Sequence, residues 1–304
     1  MPSRTTTIEL QYRPPLDWPF FLKYLGGRAT LGVEKVADER YLRTFEAAGA
    51  RGLLTINQNS RAHSLAVEIT VDGARISAPL KDLVIRRVRQ MFDLDADLEQ
   101  VHRVLGRDPH MASLIASAPG VRIPGAWSDF ELLMRTIAGQ QVTVKAASTI
   151  LGRLAQRLGT ELKGFDEPAT LFPTPRAVAD GDLSAIGMPA KRVLALQSVA
   201  RSIADGAIVF PIGADNASTI GPALLGHPGI GPWTVSYFTL RAIRDPDAWP
   251  GLDLVLKRSV DRLAAAARCS PADLPTSWKP YRGYAAMHLW RHASAQPPRT
   301  SEKS

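Results

Sequence analysis

The sequence predicts an α+β chain in which a sheet-bearing first part is followed by helices, and three observations carry that prediction. Strand-like alternation at period two occurs only before about Asp93, in Thr7-Ile8-Glu9-Leu10-Gln11-Tyr12 and in Ser64-Leu65-Ala66-Val67-Glu68-Ile69-Thr70-Val71. After Asp93 every strong periodic segment repeats at helical spacing. With 45% hydrophobic and 22% charged residues among 304, the composition is globular and too apolar for a disordered chain.

Taken in order, the second alternating run stops at the Asp72-Gly73 turn, so both runs read as half-buried antiparallel strands. Between them Pro19 to Arg28 is predicted helical, with Phe20, Phe21 and Tyr24 on one face and Gly26-Gly27 as its end. A helix from about Pro79 to Met91 turns Leu83, Val84 and Val88 inward and closes a mixed module of residues 1–95. Further on, Ser128-Asp129-Phe130-Glu131 reads as a capping box in which Ser128 accepts from the first free N–H groups and Glu131 reaches back to the cap. A helix from Gln141 to Leu158 follows, with Val144, Ala147, Ile150, Leu151 and Leu154 as its buried stripe, and another spans Ala190 to Ala204. The expected division is a helical unit at 129–245, a second helical unit assembled from 96–128 and 246–293, and an unstructured tail at 294–304.

Lys plus Arg number 37 against 29 Asp plus Glu, a formal charge of +8 that suits a polyanionic partner. The lone cysteine, Cys269, rules out an intramolecular disulfide and leaves too few thiolates for an iron–sulfur cluster or a cysteine-based zinc site. No apolar run approaches the ~18 residues of a membrane span, and the start MPSRTTTIELQY lacks the apolar stretch of a signal peptide. A cytoplasmic protein without membrane contact is expected.

The most informative segment is LLGHPGIGPWTVSYFTLRAI, residues 224–243. Pro228-Gly229-Ile230-Gly231 is a tight turn whose glycines let a backbone approach a ligand closely, and Pro232 takes the first helical position, where a missing N–H costs nothing. The helix that follows presents unpaired N–H groups and the positive end of its dipole, an arrangement that fits a phosphate. No third glycine and no Lys-Ser/Thr follow, so neither a dinucleotide fingerprint nor a P-loop is completed. In the first helix of this hairpin, Gly221-Pro222 is expected to leave only a turn or so.

Helix, Pro-Gly-Ile-Gly turn and helix together resemble the helix-hairpin-helix motif of DNA repair glycosylases. The resemblance extends through Ile137-Ala138-Gly139-Gln140-Gln141-Val142-Thr143, Gly187-Met188-Pro189-Ala190-Lys191-Arg192, and Trp278-Lys279-Pro280-Tyr281-Arg282-Gly283-Tyr284 with His288 and Trp290 beyond it. Pro14-Pro15-Leu16-Asp17-Trp18 resembles the start of the bacterial alkylated-base glycosylases, the DNA-3-methyladenine glycosylase II type. That family implies a mostly α-helical two-domain glycosylase core with the hairpin motif, preceded by an antiparallel-sheet-plus-helices domain. It further implies a monomeric enzyme of base excision repair whose partner is double-stranded DNA containing damaged bases; Arg192, Lys191, Lys145 and Arg241 are either contributors to its phosphate contacts or ordinary surface charge.

Residue by residue, the resemblance assigns catalysis to Asp253 and the base pocket to Trp233, Tyr237, Tyr24 and Trp290. It assigns DNA binding to Gly229, Gly231, Thr234, Gln140 and Gln141, with Gln141 at the position that fills the gap left by an extruded base. Breaking an N-glycosidic bond builds positive charge on the sugar, and a fixed carboxylate stabilises it. Pro250-Gly251 before Asp253 and the apolar spacing of Leu252, Val255, Leu256, Val260 and Leu263 around it place the residue at a helix start; capping alone would also explain it there. Bifunctional relatives carry a lysine where this chain has Trp233, so water rather than an amine is the expected nucleophile. Electron-rich rings suit a base made cationic by alkylation, although core packing is the other reading of those aromatics. No cofactor is expected for catalysis; relatives hold a monovalent cation, sodium or potassium, through main-chain carbonyls matching Leu225, His227 and Ile230. Two other readings stay open: a related glycosylase for uracil, hypoxanthine or oxidised bases, and a non-catalytic hairpin module that binds DNA.

Overall fold

The computed structural model describes residues 3–73, 75–210 and 217–295 and is α+β. Strands β1 (Arg4–Gln11), β2 (Glu34–Ala37), β3 (Arg40–Ala47), β4 (Ala50–Asn59) and β5 (Ser64–Val71) form an antiparallel sheet in the order β1-β5-β4-β3-β2. Val67 of β5 lies opposite both Ile8 and Ile56, and the buried alternate residues Ile56, Val67 and Ile69 join Phe21 and Val84 in one core. Phe21 belongs to α1 (Trp18–Gly26) and Val84 to α2 (Ala78–Met91). The two strands expected from alternation are present; β2, β3 and β4 are additional. In β3 the period is broken because Arg43 and Thr44 are both buried although polar.

The helical remainder comprises α3 (Leu98–Leu105), α4 (Pro109–Ser117), α5 (Asp129–Ala138), α6 (Val144–Leu158), α7 (Pro175–Asp180), α8 (Ala190–Ala204), α9 (Ala217–Leu225) and α10 (Pro232–Phe238). A π-helical turn over Thr239–Ile243 extends α10; α11 (Leu254–Ala267), α12 (Asp273–Ser277) and α13 (Arg282–Ala295) complete the order. One short ribbon, β6 (Thr160–Glu161) with β7 (Thr170–Leu171), interrupts it after α6. Polar side chains cap most of the longer helices: Asp17, Ser77, Asp97, Asp108, Ser128, Thr143 and Asp253 each accept a backbone N–H at their helix start. Such caps stabilise by about 1 kcal/mol apiece.

Three local expectations are corrected. Ser128 caps α5, but Glu131 does not reach back; its carboxylate accepts from Arg43 Nη2 at 2.9 and 3.1 Å, a stronger charge-assisted partner than a backbone N–H. Helix α6 starts at Val144, which is 46% exposed rather than buried, because it borders the cleft described below. Helix α9 runs for nine residues through Pro222; burial of Ile220 and Leu224 in the helical core holds it despite the missing N–H. The tail expected at 294–304 lies outside the described residues from 296 onward, and Ser294 and Ala295 end α13.

Two apolar cores result. The first gathers the sheet, α1–α4, α11 and α13; the second gathers residues of α5–α10 such as Leu133, Leu151, Leu196, Leu224 and Phe238. The first 95 residues therefore share a core with the helices of 96–128 and 246–293. Among the described residues no helix is long and apolar enough to cross a membrane.

Candidate functional site

A cleft of about 490 Å³ opens where α1, α5, α10, α11 and α13 converge, and its wall includes Asp253, Trp233, Tyr237, Tyr24 and Trp290. Another cavity, of about 530 Å³, lies beside Arg86, Arg87, Trp127 and Asp129 and contains none of those five. The first is the candidate site because it brings a carboxylate and aromatic faces together.

Asp253 is the N-cap of α11. Its Oδ1 accepts from Val255 N and Leu256 N, each at 3.0 Å, and from Trp290 Nε1 at 3.0 Å. Three donors on one oxygen fix the carboxylate's orientation, and Oδ2 makes no hydrogen bond to any described residue. Capping and a place on the cleft wall thus coexist in one side chain. The apolar spacing that located this helix start is only partly a core pattern. Leu256 and Val260 are buried, whereas Leu252 is 67% and Val255 41% exposed, and Val255 lines the cleft beside the carboxylate.

The aromatic wall is assembled from three elements. Trp233 and Tyr237, one turn apart on α10, stack with centroids 5.5 Å apart and an interplanar angle of 17°. Trp290 of α13 meets Tyr237 edge-on at 5.9 Å. Tyr24 of α1 places its hydroxyl 3.2 Å from that of Tyr237. Sequence reasoning did not foresee the arginines around them. Arg28 lies over the Tyr24 ring at 3.7 Å, and Arg28 and Arg135 both line the cleft. The signal for Arg28 was present in its spacing, four residues beyond Tyr24. Arg241, expected as a phosphate contact, is instead 3% exposed; it donates to the carbonyls of Pro124 and Gly125 and to the Tyr237 hydroxyl, and is spent inside the protein.

At the hairpin, Gly229 has φ +81°, which favours glycine, and a Cβ on Gly231 would meet open space. Pro232 begins α10 as expected. Gln140 donates from Nε2 both to the Gly229 carbonyl (2.9 Å) and to Thr234 Oγ1 (3.0 Å). Thr234 is buried and Gln140 half-buried, so these two side chains brace the turn from within rather than reaching outward. Gln141 beside them is exposed and held at φ +56°, an uncommon conformation for a residue with a side chain. At the carbonyls considered for a cation, Ile230 N donates to the His227 carbonyl, and the His227 ring lies 3.2 Å from Ser198 Oγ.

The comparisons fit this geometry. A helical core carrying the hairpin beside a carboxylate cleft defines the helix-hairpin-helix class of repair proteins: residues 134–279 match the HhH-GPD superfamily base excision DNA repair protein family, and residues 7–128 match the AlkA N-terminal domain. The fold is similar to that of a 3-methyladenine DNA glycosylase from Archaeoglobus fulgidus, with a TM-score of 0.75 at 19% identity, covering 95% of this chain and 98% of that one. It also resembles the 8-oxoguanine glycosylase/lyase of Clostridium acetobutylicum in complex with DNA, with a TM-score of 0.65 at 15% identity, covering 88% and 89%. With 33% identity to DNA-3-methyladenine glycosylase 2 of Escherichia coli over 95% of this chain and 98% of that protein, the chain belongs to the DNA-3-methyladenine glycosylase 2 family.

Proposed function

We propose that the chain is a monofunctional DNA glycosylase of base excision repair that hydrolyses the N-glycosidic bond of alkylated purines, of the 3-methyladenine and 7-methylguanine type. The single observation that carries the reading is Asp253, a carboxylate with one oxygen fixed by three donors and the other without a hydrogen bond among the described residues, on the wall of a cleft faced by aromatic rings.

The steps follow from the chain's own residues. The Gly229–Gly231 turn and the start of α10 grip a phosphate through main-chain N–H groups, with Gln140 and Thr234 holding the turn in shape. The damaged nucleotide leaves the stack at a cost of a few kcal/mol, and Gln141 fills the space it vacates. The base enters against Trp233, Tyr237, Tyr24 and Trp290, where a cationic ring is attracted to electron-rich faces. Asp253 faces the sugar, stabilises the positive charge that develops there and orients water for attack. Among the described residues the cleft lining contains no lysine, which leaves no amine to form a Schiff base. A sodium or potassium ion held by the carbonyls of Leu225, His227 and Ile230 would add positive charge beside the phosphate; the His227 carbonyl already accepts one hydrogen bond and keeps a second lone pair for such an ion. We read the protein as a cytoplasmic monomer, with units at 1–95, at 96–128 joined to 246–293, and at 129–245.

The test is a panel of duplexes, each with one lesion, incubated with the protein and then treated with alkali to reveal abasic sites. Release of alkylated purines with strand breaks only after alkali is expected; strand breaks without alkali overturn the monofunctional assignment.

A further inference from the structure

Against the Tyr24 and Tyr237 rings that line the cleft lies a buried guanidinium, that of Arg241, with no carboxylate in ion-pair contact among the described residues. Arg241 is 3% exposed, and its hydrogen bonds go to two carbonyls and the Tyr237 hydroxyl. Among the described residues neither it nor Arg28 forms an ion pair with a carboxylate. The other charged groups facing this spot are committed elsewhere or stand at its far side. Arg135 of α5 is paired with Glu34 of β2, which is shared with Arg43. Arg291 of α13 is paired with Asp17, and Asp253 of α11 is held by its own helix start and Trp290. Glu34, already shared between Arg43 and Arg135, acts on Arg241 only from beyond ion-pair distance, and the groups in hydrogen-bond or ring contact with Arg241 that can carry negative charge are the two phenols.

Hydrogen-bond counting shows what the pair can do. A guanidinium only donates, so Tyr237 Oη is the acceptor toward Arg241 Nη1 at 3.2 Å. If both hydroxyls keep their protons, one donates to the other across 3.2 Å and one O–H of the pair is left over for the cleft. If Tyr237 loses its proton, Tyr24 donates to it instead, no O–H is left over, and the pair carries a negative charge.

We propose that the Tyr24–Tyr237 hydroxyl pair sets the base specificity of the cleft: neutral, it offers an O–H to acceptor atoms of uncharged purines, and anionic, it offers negative charge to cationic ones. The inference rests on the glycosylase reading and deepens it. Burial pushes both hydroxyls up, but at Tyr237 the Arg241 and Arg28 charges and the hydrogen bonds from Tyr24 and Arg241 outweigh it and bring the group down to about 7. At Tyr24 burial prevails and lifts the hydroxyl to about 12. The pair as a whole therefore gives up its first proton well below the ordinary phenol range and holds its second above it.

Two measurements on the full chain test this. The first is tyrosinate absorbance in the near ultraviolet as pH is raised. A single phenol ionising near neutrality is expected in the wild type, absent in Tyr237→Phe, and moved to higher pH in Tyr24→Phe, which keeps the ring but removes the donor. The second is the ratio of 7-methylguanine to hypoxanthine release from single-lesion duplexes. The anionic fraction of a group titrating near 7 rises about tenfold between about pH 6 and about pH 8, and the ratio should rise with it in the wild type and stay flat in Tyr237→Phe. No ionisation near neutrality, or the same slope in Tyr237→Phe, overturns the proposal. Release of both bases at a constant ratio sinks this proposal alone, whereas release of neither sinks the glycosylase reading and this proposal with it.

Discussion

Two buried arginine clusters lie side by side, and they are balanced differently. Arg43 is matched by Glu131 at 2.9 Å and Glu34 at 3.7 Å, and Arg135 by Glu34 at 3.5 Å. Burial opposes ionisation of Glu34, but the Arg135 and Arg43 guanidiniums outweigh it and hold the carboxyl below its ordinary value. Arg241, behind the cleft's aromatic wall, forms no ion pair among the described residues, feels Glu34 only from a distance and leans on a phenol. Matched ions fasten β2 and β3 to α5, whereas the cluster left unmatched is the one that meets the proposed ligand. His288 on α13 is a third case: buried, with Nε2 unpartnered, it stays neutral because burial and the nearby His102 and Arg291 push its imidazole down to about 3.

The comparison can be broken most severely in the matched cluster. Arg43→Met strands Glu131 without its guanidinium and leaves Glu34 with Arg135 alone, and an unfolding curve should show a loss of about 3–5 kcal/mol. The cleft's base release, measured below the lowered melting point, should persist. Next in size, Asp253→Asn should lower release of 3-methyladenine by about 10²–10³, the scale of losing one aimed electrostatic group. Its affinity for DNA, followed by fluorescence anisotropy, should stay within a few fold, because phosphate contacts carry most of that term.

The neutral case sharpens the rule through pH. The folded imidazole of His288 titrates near 3 and an unfolded one near 6.5, so the unfolded chain takes up the proton first. Its contribution to stability is complete above about 6.5 and is lost progressively as pH falls toward about 3. At about pH 5 the wild type should lose about 2 kcal/mol more, relative to about pH 8, than His288→Met does in urea titrations. Equal losses would show that His288 does not carry this acid sensitivity. A smaller effect is expected at Trp233: replacement by Ala removes a ring stacked on Tyr237 and should reduce excision of cationic bases more than of neutral ones, by the about 1–2 kcal/mol of a desolvated cation–π contact. Smallest of all, Gln140→Ala leaves the Gly229 carbonyl and Thr234 hydroxyl without their shared donor and should weaken DNA binding by about 1 kcal/mol, with a similar cost in stability.

How much of this was legible in the sequence depends on whether a residue's role is local. The helix start at Asp253, the proline opening α10 and the cap at Ser128 are set by neighbours within a turn, and the sequence located all three. Strand β3 was hidden because the polar inward residue Arg43 finds its partner in Glu131, 88 positions away. Arg241 was misjudged for the same reason: its acceptors Pro124 and Gly125 lie more than 100 positions earlier, and an isolated arginine on an amphipathic helix looks like surface charge. The Tyr24–Tyr237 contact spans 213 positions; each ring could be placed on its own helix, but not one hydroxyl against the other.

The amide of Gln140 adds a mechanical consequence. A single planar group spans from the end of α5 to the bend ahead of α10, so the loop bearing Gln141 and the bend proposed to grip the sugar–phosphate strand are ends of one rigid bracket. Tugging either end displaces the other, which, on the proposed mode of binding, ties how firmly the strand is clasped to how deeply the neighbouring finger sits in the helix.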